Sequence, residues 1–161
     1  LAGRIVIPEL CEGQCIWMVG RALDDRRLKY LGLSLPKPIL GYERVRGQRR
    51  VFLTEGAFDY LTGVAWNLPI CALLGTHVRA ERLAFLQRAH QVVLVFDNDE
   101  PGRTAATELA ASLGVRASVL ALPVGVKDLG ELANQPNGRQ TFFELLRQLG
   151  TRKEANDATV H

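Results

Sequence analysis

The stretch Val92-Val93-Leu94-Val95-Phe96-Asp97-Asn98-Asp99-Glu100-Pro101-Gly102 decides how the chain folds. Its first five residues are apolar without a polar break, the pattern of a strand covered on both faces inside a parallel sheet. Acids follow at once. Pro101 then opens a helix that runs through Ala105, Ala106, Leu109, Ala110 and Leu113 to a stop at Gly114, with proline at the start and glycine at the end as helices prefer.

Working outward, Val51 to Thr54 reads as an apolar strand, and residues 57–66 as a helix with Phe58, Leu61 and Ala65 at helical spacing. Residues 68–74 predict a second strand, 78–89 a second helix carried by Leu83, Phe85, Leu86 and Ala89, and 117–122 a fourth strand after the 92–96 run. Four strands separated by three helices predict an α/β fold, a parallel sheet of about four strands flanked by helices. A last helix is expected at 141–149 through Phe142, Phe143, Leu145, Leu146 and Leu149. The polar segment 151–161 is expected to be a disordered tail.

Upstream, residues 5–7 and 15–19 predict a hairpin turning at Glu12-Gly13. From Asp24 to Arg50, Pro36, Pro38, Gly41 and Gly47 interrupt every pattern, which predicts an irregular connector. The expected organisation is a strand-rich basic segment at 1–50, the α/β domain at 51–150 and the tail at 151–161.

The 161 residues are 47% hydrophobic and 23% charged with 15 Gly and 7 Pro, the make-up of one ordinary globular domain. No apolar run approaches the roughly 20 residues of a bilayer-spanning helix, and no secretory signal pattern opens the chain, so a cytoplasmic protein without membrane contact is expected. Because the sequence opens on Leu1, flanking segments outside it are expected. Cys11, Cys15 and Cys71 are an odd number, which argues against a disulfide framework. The net charge of +3 is unevenly spread: residues 1–50 hold ten Lys or Arg against five acids, the remainder ten against twelve. A basic segment beside an acidic one fits a protein that tracks a phosphate backbone with one part and gathers cations with another.

Ligands of open α/β sheets bind beyond the carboxyl ends of the strands, and three of the four strands deliver acids there. Glu55-Gly56 follows the first strand with Asp59 one turn on, Asp97 and Asp99 follow the third, and Lys127-Asp128 follow the fourth. Carboxylates crowded at one rim repel unless a cation or shared proton relieves them, and Mg²⁺ is the natural cation for hard oxygen donors. Each acid also has a plainer explanation as a helix cap or first-turn residue. Asp97, Asp99, Gly102 and Glu108 fall at four positions of an EF-hand calcium loop, but Pro101 breaks that pattern and a strand precedes it. Cys11 and Cys15 are expected at inward hairpin positions rather than on zinc with Cys71 and His77. Cys71 reads as core, and His77 and His90 as loop and helix-end residues.

Glu55-Gly56 after one strand and Asp97-x-Asp99-x-x-Gly102 after a later one resemble the Toprim domain of bacterial-type primases, topoisomerases and some nucleases. Thr54-Glu55-Gly56-Ala57-Phe58-Asp59 looks like the primase form of the first motif, Leu74-Gly75-Thr76 like its second-strand loop and Lys127-Asp128 like the later Asp-bearing motif. Arg4-Ile5-Val6-Ile7-Pro8, Glu12-Gly13, Gly20-Arg21 and Lys29-Tyr30-Leu31 resemble the strand-rich segment before Toprim in DnaG-type primases and phage or plasmid relatives. The resemblance covers about residues 4–133. It departs at Gly130, where a second acid is expected after Asp128.

The resemblance implies RNA-primer synthesis on a single-stranded DNA template from ribonucleoside triphosphates, with Mg²⁺ or Mn²⁺ as cofactor. It assigns Asp97 and Asp99 as principal metal ligands, Asp128 as an additional one, and Glu55 as general acid/base or further ligand. Asp59, Gly56 and Gly102 support the cluster, and Arg21, Lys29 and Lys37 bind template or triphosphate. Outside this chain it implies a zinc-binding module and a replicative helicase. Two other functions share the same acids: Toprim-type DNA cleavage, and nucleic-acid binding without catalysis.

Overall fold

The computed structural model describes residues 1–25, 28–75 and 80–159. Arg26, Arg27, Thr76, His77 and the last two residues of the expected tail lie outside them.

The chain opens as a three-stranded antiparallel sheet of β1 (Arg4–Cys11), β2 (Gln14–Ala22) and β3 (Tyr30–Gly32), in the order β1-β2-β3. Positive φ at both Glu12 (51°) and Gly13 (78°) gives the tight turn that joins twisted strands. The hairpin is longer than the sequence pattern predicts: it carries Pro8 opposite Met18 and shifts register between Glu9 and Leu10. The alternation buries Ile7 and Glu9 on one strand and Trp17 and Val19 on the other. Cys11 and Cys15, expected to face inward, are exposed. The shift after Glu9 and the nearby turn leave this end of the ribbon uncovered.

The connector holds two elements that its sequence does not advertise. The strand β3 pairs through only Val19↔Gly32, Gly20↔Leu31 and Arg21↔Tyr30. Gly32 is the residue that permits this, since a Cβ there would stand 2.6 Å from the Trp17 ring. A four-residue helix, α1 (Tyr42–Val45), follows, and the backbone N–H groups of its cap Gly41 and its first residue Tyr42 donate to the buried Glu9 carboxylate.

The second sheet is parallel, in the order β5-β4-β6-β7, with β4 (Arg50–Thr54), β5 (Ile70–Ala72), β6 (Gln91–Leu94) and β7 (Ala117–Val119). Its expected α/β architecture is present, with the second and fourth strands shorter than predicted. Helix α2 (Ala57–Ala65) joins β4 to β5, a 3₁₀ segment Ala80–Arg88 precedes β6 where an α-helix is expected, and α3 (Glu100–Leu113) joins β6 to β7. Helix α4 (Leu129–Ala133) is additional, and α5 (Gly138–Thr159) begins earlier and runs later than expected. Lone Gly150 costs a helix about 1 kcal/mol against alanine but does not end it, and the Arg, Lys, Glu and Ala after it are good helix formers.

Both faces of this sheet are covered. Val51, Leu53, Val92 and Leu94 pack with the 3₁₀ segment and α3, while Phe52, Ile70, Val93 and Val95 pack with α4 and α5 around fully buried Phe142. Period-2 alternation along β4 and β6 feeds the two layers from each strand. A third cluster joins Ile7, Trp17 and Val19 to Leu40, Ala57 and Ala72, so the antiparallel sheet rests on the start of α2 and the end of β5. That contact sets the basic sheet beside the rim where the parallel strands end.

Candidate active site

The rim is assembled by three strand-to-helix transitions. Beyond β4, Glu55 is half-buried and Gly56 opens α2, whose first turn carries Asp59 at 7% exposure. Beyond β6, Asp97 and Asn98 are half-buried, and Asp99 caps α3 by accepting from the Gly102 N–H at 2.9 Å. Beyond β7, Asp128 caps α4 by accepting from the Glu131 N–H at 2.7 Å. The plainer capping explanation thus holds for one oxygen each of Asp99 and Asp128.

The three transitions are stitched together. Glu55 Oε1 accepts from the Asp97 N–H at 3.2 Å, Asp59 Oδ1 accepts from the Gly130 N–H at 3.0 Å, and the Asn98 N–H donates to the Lys127 carbonyl at 2.6 Å. Two glycines allow this closeness. A Cβ at Gly102 would lie 2.3 Å from the Asp97 carbonyl oxygen and 2.8 Å from Glu55 Oε1, and one at Gly56 would lie 2.5 Å from Asp59 Oδ2. Gly130 stands where the resemblance expects another acid. Its backbone N–H gives Asp59 a partner instead.

Crowding shows in the protonation equilibria. Burial, then the charges of Asp97, Asp99 and Asp59, lift Glu55 from 4.5 to about 7, against one lowering hydrogen bond from Asp97. Burial lifts Asp59 from 3.8 to about 6, with Asp128 and Asp97 adding to the rise and the Gly130 hydrogen bond opposing it. Asp97 is raised by burial, then by Asp128 and Asp99, and is relieved by Lys127, whose Nζ lies 4.0 Å from Asp97 Oδ2. Glu55, Asp59 and Asp97 are thus each raised by burial and, less, by neighbouring carboxylates.

Every donor at the rim is a carboxylate oxygen, the chemistry of a hard divalent cation. Among the described residues no three His, Cys, Asp or Glu side chains converge closely enough to share an ion.

The predicted cations divide. Arg21 on β2 donates to the Tyr30 hydroxyl at 2.6 Å and lies over the Tyr30 and Phe58 rings, 4.7 and 5.6 Å from their centroids. Phe58 belongs to α2, so Arg21 spans from the basic sheet to the helix that carries Asp59. Lys37 donates to the Leu74 carbonyl beyond β5 at 3.3 Å, which brings it to the same end of the sheet. Lys29 is exposed beside β3. Arg44, Arg46, Arg49 and Arg50 are exposed as well. Arg4, not among the predicted binding residues, donates to the carbonyls of Gly20, Leu28 and Lys29 and so holds β3's approach. Glu9 lies in no chemical motif and Asn98 at the variable position of one, and the carboxylate of Glu9 and the carboxamide Nδ2 of Asn98 bond partners at least 25 residues away, so neither was singled out in sequence. Glu108 lies within α3 and His90 is exposed before β6.

Residues 52–133 match the family described as Toprim-like. The DNA primase of Borreliella burgdorferi is 26% identical over 181 residues, covering 98% of this chain and 35% of that protein. The DNA primase of Staphylococcus epidermidis is 30% identical over 140 residues, covering 76% of this chain and 23% of that protein. The chain thus spans about a third or less of the length of these curated relatives. Among solved structures, the zinc-binding and RNA polymerase domains of the Aquifex aeolicus primase superpose with a TM-score of 0.73 at 23% identity, over 91% of this chain and 40% of that one. Among the described residues no helix is long and apolar enough to cross a membrane.

Proposed function

The chain belongs to the Toprim-like family, and we propose that it is the Toprim portion of a DNA primase that joins ribonucleotides on single-stranded DNA by metal-dependent nucleotidyl transfer. The observation that carries this reading is the delivery of Glu55, Asp59, Asp97, Asp99 and Asp128 to one rim, stitched by hydrogen bonds and coupled by charge.

In this reaction the 3′-hydroxyl of one ribonucleotide attacks the α-phosphorus of the next triphosphate, and pyrophosphate departs. Little covalent chemistry falls to the protein. It must neutralise negative charge, align the groups and accept the hydroxyl proton. Asp97, with either Asp128 or the uncapped oxygen of Asp99, would hold Mg²⁺ or Mn²⁺, which would supply charge neutralisation at the phosphate oxygens. Glu55 suits the proton: its Oε1 is anchored by the Asp97 N–H, and its value of about 7 matches a base that accepts and returns a proton near neutrality. Asp59 fastens α2 to the start of α4. Arg21, Lys29 and Lys37 would bind template or triphosphate, their charge complementing phosphate.

The test is calorimetric titration of the purified chain with Mn²⁺, with and without a ribonucleoside triphosphate, beside Asp97→Asn/Asp99→Asn. Binding that tightens with nucleotide and is lost in the double variant supports the reading; Mn²⁺ binding indifferent to both overturns it. Degradation of labelled single-stranded DNA that stops in Glu55→Gln would move the same acids to strand cleavage.

A further inference from the structure

The residue between the two acids, Asn98, has no part in that chemistry, yet it is heavily bonded. Its carboxamide Nδ2 donates to the Val126 carbonyl at 3.1 Å and to the Pro123 carbonyl at 3.4 Å, while its backbone N–H donates to the Lys127 carbonyl at 2.6 Å. From the other side, Arg103 Nη1 donates to the Asn98 carbonyl at 2.6 Å and reaches its Oδ1 at 3.4 Å. Asn98 therefore ties the loop beyond β6, anchored in turn by α3, to three carbonyls of the loop that leads from β7 into α4.

That second loop needs a tie. Leu120, Leu122 and Val126 are buried, but between them Val124 is fully exposed and Gly125 has φ of 84°, so the tip of the loop is not held by the core. Asp128 follows directly, its cap to Glu131 fixes it on α4, and α4 is packed on the sheet through Leu129 and Leu132; the backbone just ahead of Asp128 is joined to the loop beyond β6 by the Asn98 bonds. We infer that Asn98 is a positioning residue: its carboxamide sets the placement of Asp128 opposite Asp97, so that the two carboxylates address one divalent cation. The inference rests on the metal-dependent reading above. An asparagine is required by the chemistry of the contact, because only an –NH₂ group offers two donors to two carbonyls from so short a side chain. Aspartate has the same shape and no donor, and would set a carboxylate against carbonyl oxygens.

The test measures Mn²⁺ affinity of the chain by calorimetry, without nucleotide, for Asn98→Asp and Asn98→Ala, each alone and combined with Asp128→Asn. Residues that orient metal ligands are worth about 10- to 100-fold in affinity, so a loss of about tenfold or more is expected in both single variants. In the Asp128→Asn background the same substitutions should have little further effect, because their route to the metal has gone. A general loosening of the fold would weaken binding equally in both backgrounds and overturns the inference. So does tighter binding in Asn98→Asp, the result expected if added charge alone mattered. Unchanged affinity in both single variants overturns the positioning role and leaves the metal site standing. An unsubstituted chain that binds no Mn²⁺ overturns both.

Discussion

In the antiparallel sheet, Lys29 stands in solvent and Arg21 spreads over two aromatic rings, so each cation acts on its own. At the end of the parallel sheet, Glu55, Asp59 and Asp97 are half-buried or buried, and burial first, then neighbouring carboxylates, raises all three carboxyls. The contrast follows from what each charge does. Cations that track a flexible polyanion gain from dispersion and tolerate small displacements. Carboxylates that share a small cation must be crowded, and the crowding opposes folding whenever the cation is missing. On the proposed function, one region would serve additive phosphate contacts and the other a single shared cation.

Three measurements press on this comparison. The largest effect is expected for Gly102→Ala, where the new methyl meets the Asp97 backbone and Glu55; overpacking of this kind costs about 1–3 kcal/mol, read in chemical denaturation. The matching change in the basic sheet, Gly20→Ala, meets the flexible Arg4 side chain at 2.9 Å and should cost less. Equal losses would erase the difference in tolerance.

Next, single-stranded DNA affinity should respond to salt contact by contact. With Arg21, Lys29 and Lys37 each neutralising one phosphate and a slope of about 0.7 per contact, raising salt from 50 to 200 mM weakens binding roughly twentyfold. Lys29→Ala should then lower the slope by about 0.7. A slope unmoved by the substitution would remove Lys29 from the DNA surface.

The smallest effect is in stability against pH. Glu55 is raised from 4.5 to about 7 and Asp59 from 3.8 to about 6, so between those values the folded chain holds protons that the unfolded chain has released. Stability therefore falls as pH rises through this window. The thermal midpoint in EDTA should be a few degrees lower at pH 8 than at pH 5.5, and Mn²⁺ should recover it at pH 8. A midpoint that rises with pH in EDTA would mean the acids are relieved by the fold itself.

Much of the rim was legible because its information is local. Glu55, Asp59, Asp97 and Asp99 sit within five residues of an apolar strand, and Pro101 and Gly114 mark α3 directly. Besides the short, locally capped α4, the elements that escaped are those held by distant partners. Tyr30–Gly32 becomes a strand by pairing with β2 and by the room Gly32 leaves for Trp17, and α1 forms over the Glu9 carboxylate. Neither leaves a periodicity in the sequence. The inward placement expected of Cys11 and Cys15 failed for a related reason, since the register shift after Glu9 alters which positions are covered near the turn.

By itself the sequence determined the parallel α/β core, the order of its strands along the chain and the motifs that place acids after them, because apolar runs and helix punctuation are written in neighbouring residues. The tertiary structure alone decided that Asn98 grips the loop ahead of Asp128, that Gly130 answers Asp59, that Arg21 reaches the helix carrying that acid, and how far each carboxyl is raised. Those facts depend on distances between segments tens of residues apart and on the water removed between them, and both are fixed only when the sheets close.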